Sequence, residues 1–315
     1  MKKFICLLVF FGTGLLGMAF IADIVLSKRL KKSTIRMLIG WNEIYSGNLQ
    51  HNVLIMGGSR AWVQYSPQIL DSILGVNSYN LGIEGSPVDR QILKYDAYRR
   101  MNNKPEIIIQ DIGFATVGRS TGYEREQFFP YFFDASLLND LSKNEKFSFF
   151  EKYIPVYRYI GYSPLIQEGI FLKVPEAILK KGYYGMDKEW DGSEFEKQTH
   201  IDYMQDSLAL LLFDNYLAKA YSENIKVIFV YAPVYIGVTE KLHNVKGMYQ
   251  MFDSLAQKYN IPIINYNYAP ISYDTANFYN ATHLNKKSAE LFSIQLAHDL
   301  DSLGVRFYKN DINNN

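Results

Sequence analysis

Residues 107–112 begin Ile107-Ile108-Ile109 and are dominated by branched side chains, as are residues 226–231. A strand with one wet face alternates apolar and polar residues. A near-continuous apolar run instead implies burial on both faces, which is the habit of parallel sheets flanked by helices. The rest of the chain supplies the alternation such a sheet needs. Residues 52–56 read as a first strand, and 66–74 as a short helix opened by Ser66-Pro67. Residues 78–81 read as a second strand, and 86–101 as an amphipathic helix with Ser86 as its cap and Pro87 at its first position. Residues 107–112 are the third strand and 226–231 the fourth, the latter followed by Ala232-Pro233. A helix over 239–259, a fifth strand over 262–266 and a closing helix over 291–303 complete the pattern. Strands alternating with helices predict crossover connections and a doubly wound α/β sheet.

Two short segments carry the chemistry. Val53-Leu54-Ile55-Met56 stops at Gly57-Gly58-Ser59-Arg60, so a buried strand ends in a tight turn that presents a hydroxyl. Far along the chain, Asn280-Ala281-Thr282-His283 precedes Leu284-Asn285, with Asn285 placed to cap the last helix. Serine is a weak nucleophile until a base takes its proton, and histidine is the usual base at neutral pH. Together the segments resemble the first and last sequence blocks of the SGNH (GDSL-type) hydrolases, in which a serine after the first strand works with a histidine near the C-terminus. Tyr79-Asn80-Leu81-Gly82-Ile83-Glu84-Gly85 resembles that family's second block. The resemblance covers roughly residues 50–115 and 225–305. It implies a three-layer, flavodoxin-like parallel sheet of order 2-1-3-4-5. It implies Ser59 as nucleophile and His283 as base, with the Ser59 N–H and a glycine N–H forming the oxyanion hole. Gly85 is the first choice for that glycine and Gly82 the second.

The sequence departs from the family pattern twice. The acid of the Asp-x-x-His block is Asn280, which accepts the imidazole hydrogen bond but brings no charge. No block-three asparagine is found; the nearest segment is Gln110-Asp111-Ile112-Gly113. Asn280 therefore implies a slow Ser-His dyad, a substitute acid such as Asp274, or lost activity. Each residue also has a plainer role open to it. Gly57-Gly58-Ser59 serves equally as a turn, the two loop glycines as turn formers, and His283 as a surface histidine. Arg60 either pairs with a carboxylate such as Asp111, holding the loop, or binds an anionic substrate.

Composition narrows the partners. The net charge is +1, which implies no nucleic-acid partner. Cys6 is the single cysteine, and the five histidines (His51, His200, His243, His283, His298) show no metal-ligand spacing, so neither a metal site nor a cofactor is implied. Met1-Lys2-Lys3 precedes an apolar stretch from Phe4 to Leu26 broken only by Asp23. About 20 such residues cross a bilayer as a helix. The competing reading is a cleaved signal peptide, with Gly17-Met18-Ala19 as its site, but the apolar run continues past it. Lys28, Arg29, Lys31, Lys32 and Arg36 follow the span and by charge alone favour a cytoplasmic domain. Anchored members of the resembled family act outside the cytoplasmic membrane, and that side is the expectation here.

The expected organisation is an anchor over 1–27, a linker or stalk helix over 28–50, the α/β domain over 51–308 and a polar tail over 309–315. Residues 115–200 form an insertion rich in aromatics, including Phe128, Phe129, Phe149, Phe150, Tyr153, Tyr157, Tyr184 and Trp190. Its length predicts a helical subdomain rather than a bare loop. The aromatics form either a small core or a carbohydrate- or lipid-facing surface. The expected function is a membrane-anchored serine esterase or O-acyltransferase acting on acyl esters of a cell-surface glycan, which also admits a membrane-protein partner. The alternative is a binding or assembly protein that kept the fold and lost the chemistry.

Overall fold

The computed structural model describes residues 1–85, 87–118, 125–144, 147–171, 181–196, 200–203 and 205–305. Ser86 and the tail 309–315 lie outside them. The chain divides into two compact units: Met1–Ser46 with Thr121–Ala177, and Gly47–Ser120 with Ile178–Asn315.

The second unit holds the sheet. Its strands are β1 (Val53–Met56), β2 (Ser78–Asn80), β3 (Ile107–Asp111), β4 (Lys226–Tyr231) and β5 (Ile263–Asn265). They pair in the order β2-β1-β3-β4-β5, and every pairing is parallel. The expected order is the observed one. Ile55, Ile109, Ile228 and Val230 pack with Leu70 and Leu74 of helix Pro67–Leu74, and with Phe292, Leu296 and Leu300 of helix Lys286–Ser302. Phe229 serves the opposite face, where its ring lies 5.9 Å from Phe213 and 6.1 Å from Phe252. Those two rings belong to helices Ser207–Ser222 and Val245–Tyr259. Helices thus cover both faces, which accounts for the continuous apolar strands.

The differences from expectation are local. Pro87 precedes helix Val88–Met101 as its cap position instead of opening it. The helix expected over 239–259 is broken: Ile236–Lys241 ends, Leu242–His243 pairs with Ile201–Asp202, and Val245–Tyr259 follows. Asn244 makes the break with a left-handed backbone, φ 59°. Residues 207–222, unassigned from sequence, form a helix whose Asp206 cap accepts the Ala209 N–H at 2.9 Å. Asn285 caps the last helix as expected, accepting the Ser288 N–H at 3.0 Å, so the helix starts at Lys286 and not at 291.

The first unit is built on helix Lys2–Leu30. This helix is long and apolar enough to cross a membrane. The helix runs past the expected anchor bound of 27, and its last turns belong to a core: Asp23, Leu26, Ser27 and Leu30 are buried. The carboxylate of Asp23 accepts from the Arg158 guanidinium and, at 2.6 Å, from the Val156 N–H. Residues 28–50, read as a linker or stalk, contain helix Arg36–Tyr45 with Leu38, Trp41 and Ile44 buried. Trp41 packs edge-on against Phe128, centroids 5.1 Å apart, and donates Nε1–H to Gln127 at 2.8 Å. The insertion's aromatics divide between a core and an exposed set. Phe128, Phe129, Tyr131, Phe132 and Tyr159 are core, whereas Phe149, Phe150, Tyr153 and Tyr157 are exposed.

Removing one partner of a buried ion pair strands the other charge, at a cost of about 3–5 kcal/mol. Asp23→Ala is accordingly expected to unfold the first unit at markedly lower denaturant concentration, while Asp23→Asn, which keeps an acceptor, loses less. Limited proteolysis of residues 147–171 across a urea series measures the difference.

Candidate active site

Parallel strands all deliver their C-terminal ends to one edge of the sheet, and the loops there converge. From β1 the chain passes through Gly57 and Gly58 into the short helix Ser59–Gln64, so Ser59 is that helix's first residue. From β2 it passes into the Leu81–Gly85 loop. A side chain at Gly82 would lie 2.4 Å from the Trp62 backbone nitrogen, so the loop and the short helix touch backbone to backbone. Gly85 has φ +60°, a left-handed conformation that glycine adopts without strain, with open space where a side chain would be.

The base comes from a small hairpin. Phe278–Asn280 and His283–Leu284 form an antiparallel pair, with Asn280 directly opposite His283. The Asn-x-x-His spacing is thus a hairpin whose two intervening residues turn the chain, and cross-strand pairing brings amide and imidazole together. His283 Nδ1 lies 2.8 Å from Asn280 Oδ1. Its Nε2 lies 2.7 Å from Ser59 Oγ. The structure therefore brings Ser59, His283 and Asn280 into one chain of hydrogen bonds.

The orientation of Asn280 is fixed by a neighbour. The Thr282 backbone N–H donates to Asn280 Oδ1 at 3.0 Å, and the Thr282 hydroxyl approaches the same oxygen at 3.3 Å. A backbone N–H only donates, so the amide presents oxygen rather than nitrogen to the imidazole. Nδ1 must then carry the proton, leaving the Nε2 lone pair to face Ser59. Thr282, unremarked in the sequence, sets the tautomer that a base requires. The Tyr279 ring stacks on His283 at 5.3 Å and 15°.

Electrostatics keep the imidazole neutral. Burial, assisted by the nearby Arg60 charge, lowers the His283 pKa to about 4. Arg60 is itself anchored: its Nε and Nη2 donate to Asp111 Oδ2 at 3.2 and 3.0 Å, and Nη2 also donates to the Ile112 carbonyl at 3.0 Å. Tyr65 donates its hydroxyl to the other Asp111 oxygen at 2.9 Å. Burial pushes the Asp111 carboxyl up, while Arg60 and Tyr65 pull it back down. Of the two roles open to Arg60 from sequence, the structure shows the pairing with Asp111.

The oxyanion candidates separate. The Gly82 N–H donates to Asn80 Oδ1 at 2.8 Å and so is already committed. Gly85 and Ser59 remain as backbone donors. Asn80, fully buried, also donates to the carbonyls of Ala61 and Tyr65 at 2.6 and 2.9 Å, joining the end of β2 to the serine helix. Beneath the loop, Lys94 donates to the Gly82 carbonyl at 3.1 Å and Arg90 approaches the Gly85 carbonyl at 3.4 Å. The Ile83 N–H reaches the Gly57 carbonyl at 3.3 Å, tying the two loops together. These groups escaped sequence reading; their only signal was cationic residues one turn apart on a helix that otherwise faces the core.

Other candidates lie elsewhere. Gln110 donates to Gln91 Oε1 at 3.1 Å and to the Asp111 carbonyl at 3.0 Å, so it is turned to internal partners. Asp274 is exposed and caps the turn Thr275–Asn277 by accepting the Ala276 N–H at 2.9 Å. Among the described residues it makes no hydrogen bond to His283. His51 precedes β1 and so lies at the opposite edge of the sheet. No cluster that could hold a metal ion is found among the described residues.

No family model and no curated protein matches the chain. Solved structures do. One is described as a lipolytic protein of the G-D-S-L family from Desulfitobacterium hafniense, with 13% identity, 78% of this chain and 98% of that chain covered, and a TM-score of 0.39. A second is described as an acylhydrolase from Bacteroides fragilis, with 13% identity, 81% and 88% covered, and a TM-score of 0.38. A third, described as a platelet activating factor, comes from Streptococcus pneumoniae, with 12% identity, 94% and 99% covered, and a TM-score of 0.40.

The site makes a spectroscopic prediction. At pH 7 the His283 imidazole is expected to be the neutral Nδ1–H tautomer and to titrate near 4. An unfolded histidine titrates near about 6.5. The folded state therefore binds fewer protons between these values. The associated stability is intact above about 6.5 and declines as pH falls towards 4. Nitrogen-15 NMR of the imidazole checks both; titration at an ordinary 6.5 contradicts the burial of the ring.

Proposed function

We propose that the protein is a serine acyl-esterase or O-acyltransferase, held to a membrane by its N-terminal helix and acting on acyl esters of a glycan. The observation that carries the chemistry is the 2.7 Å contact between Ser59 Oγ and His283 Nε2, with Nδ1 held by Asn280. Ser59 Oγ attacks the acyl carbonyl as His283 Nε2 takes its proton. The carbonyl oxygen becomes an oxyanion facing the N–H groups of Ser59 and Gly85, which favour developing charge over a neutral carbonyl. On collapse the ester C–O bond breaks, and the leaving alcohol takes the proton from the imidazolium. Water or a glycan hydroxyl then attacks the Ser59 ester, giving its proton to His283. On collapse the Oγ–acyl bond breaks, Ser59 Oγ takes the proton back from the imidazolium, and the acid or the new ester leaves.

The glycan reading has two supports. The sequence resembles the SGNH hydrolases, and by analogy an anchored extracytoplasmic member is like those that modify cell-surface polysaccharides. Trp190 and Tyr235, half-buried aromatics, pack in a cluster with Ala281 of the hairpin, and such rings offer faces to a sugar. The extracytoplasmic side is proposed on the same resemblance. The binding-protein reading keeps one observation in its favour. Asn280 supplies no charge to an imidazolium, and the Arg60 charge opposes its formation.

Wild-type protein is expected to react covalently with a fluorophosphonate probe and to release acetate from an O-acetylated polysaccharide. Ser59→Ala abolishes both, and His283→Ala nearly so, because members of one catalytic unit are not additive. Wild-type rates in Ser59→Ala overturn the mechanism; an inert wild type favours the binding reading.

Asn280→Asp is expected to raise the acyl-transfer rate. The donors around Oδ1 suit a carboxylate equally, and a carboxylate raises the His283 pKa and stabilises the imidazolium. A gain of about tenfold corresponds to roughly 1.4 kcal/mol of transition-state stabilisation. A fall in rate with the fold intact assigns the amide a task that a carboxylate cannot do.

A C-terminal enzyme reporter is expected to be active outside the cytoplasm. Activity confined to the cytoplasm rejects the orientation while leaving the chemistry standing.

A further inference from the structure

The first unit carries an exposed aromatic patch in the segment that is bonded to its long helix. From Phe4 to Ala22 that helix is exposed at almost every position, and burial begins at Asp23. The free portion is about 19 residues, or roughly 28 Å at 1.5 Å per residue. A bilayer's hydrocarbon layer is about 30 Å thick. A span that uses this portion puts Lys2 and Lys3 at one boundary and Asp23 at the other.

The insertion grips the helix at that second boundary. The Val156 N–H donates to Asp23 at 2.6 Å, the Arg158 guanidinium pairs with the same carboxylate, and the hydroxyls of Tyr159 and Ser27 lie 2.9 Å apart. Val156 has φ +66°, a strained conformation for a β-branched residue, which persists only where its surroundings hold it. The grip therefore fixes the depth of the residues on either side of Val156.

Those neighbours are large, apolar and turned outward. Phe149 is 65% exposed, Phe150 54%, Tyr153 61% and Ile160 67%, with Tyr157 at 40%. The rings are contiguous: Phe149 lies 6.0 Å from Phe150 and 5.0 Å from Tyr153, and Phe150 lies 5.4 Å from Tyr157. A capping box holds the helix that presents them, with Ser148 Oγ accepting the Glu151 N–H at 3.2 Å and Glu151 accepting the Ser148 N–H at 2.7 Å. Contiguous exposed aromatics mark an interaction surface. Tyrosines among them suit a boundary that is apolar on one side and wet on the other.

We propose that Phe149, Phe150, Tyr153, Tyr157 and Ile160 lie in the headgroup–acyl boundary of the bilayer that the helix crosses. They form a second, peripheral contact with lipid. The proposal rests on the anchored reading of residues 4–22. Continuity with that span identifies lipid as the occupant: the loop that carries the patch is bonded to the helix at the residue where the free apolar portion ends.

The test uses the full chain in the Cys6→Ser background, reconstituted in phosphatidylcholine–phosphatidylglycerol bilayers. A single nitroxide is attached at Phe150→Cys, Tyr153→Cys or Ile160→Cys. Phe10→Cys reports the middle of the span, and His298→Cys reports an exposed position on the last helix. The ratio of oxygen to nickel-complex relaxation is expected to be several-fold higher at the three patch positions than at His298→Cys. Patch labels as nickel-accessible as His298→Cys, with Phe10→Cys protected, overturn the lipid contact and leave the anchor standing. Nickel access at Phe10→Cys as well rejects the anchor itself. Patch labels shielded from both reagents, and released on dilution with lipid, replace the bilayer by a second copy of the chain.

Discussion

Parallel pairing of β1 between β2 and β3 is the constraint on which the site depends. Met56 is in register with Gln110 and Ile55 with Asn80, so the three strands finish together. The serine turn, the Leu81–Gly85 loop and Asp111 consequently emerge side by side. Once there, they are joined by buried polar bonds: Arg60 to Asp111, Asn80 to Gly82, Lys94 to the Gly82 carbonyl. In a medium of low polarity each such bond is worth keeping, because either partner left alone costs more than the bond returns. The polar groups therefore lock the backbone that holds Ser59, and the apolar strands beneath supply the rigidity.

The hairpin of Asn280 and His283 is a local solution to a long-range problem. Its geometry is settled within a few residues, since spacing and antiparallel pairing alone make amide and imidazole neighbours. Thr282 then fixes the amide, and the amide fixes the tautomer. Absent from this assembly is charge. With an amide in place of a carboxylate, and the Arg60 charge nearby, the neutral imidazole is favoured at rest. The result is a neutral imidazole held against a serine hydroxyl.

The long N-terminal helix shows a comparable division of labour. Its apolar residues are interchangeable in kind, but Asp23 is not. Within the apolar run it reads as an interruption; in the folded unit it is the residue onto which Val156 and Arg158 close. One buried acid thereby marks where the free helix stops and where the insertion's core begins.

Strand positions were legible because burial on both faces writes itself as continuous apolar sequence; the sheet order was what the family resemblance implied. Ser59, His283 and Asn280 were singled out because their two short segments resemble the first and last blocks of a known family; the hairpin that pairs Asn280 with His283 was not read from sequence. Less could be read where partners lie far apart in the chain. The roles of Asn80, Arg90 and Lys94 follow from carbonyls presented by the serine helix and the Leu81–Gly85 loop, which no periodicity reveals. The break at Asn244 depends on Leu242–His243 finding Ile201–Asp202, a pairing with almost no hydrophobic signature. The commitment of the Gly82 N–H was decided by the Asn80 side chain. The sequence by itself determined which segments are buried and which side chains can do chemistry, because those are properties of short stretches. The tertiary structure alone decided which polar atoms are already satisfied, because a hydrogen bond is defined by where two distant groups come to rest.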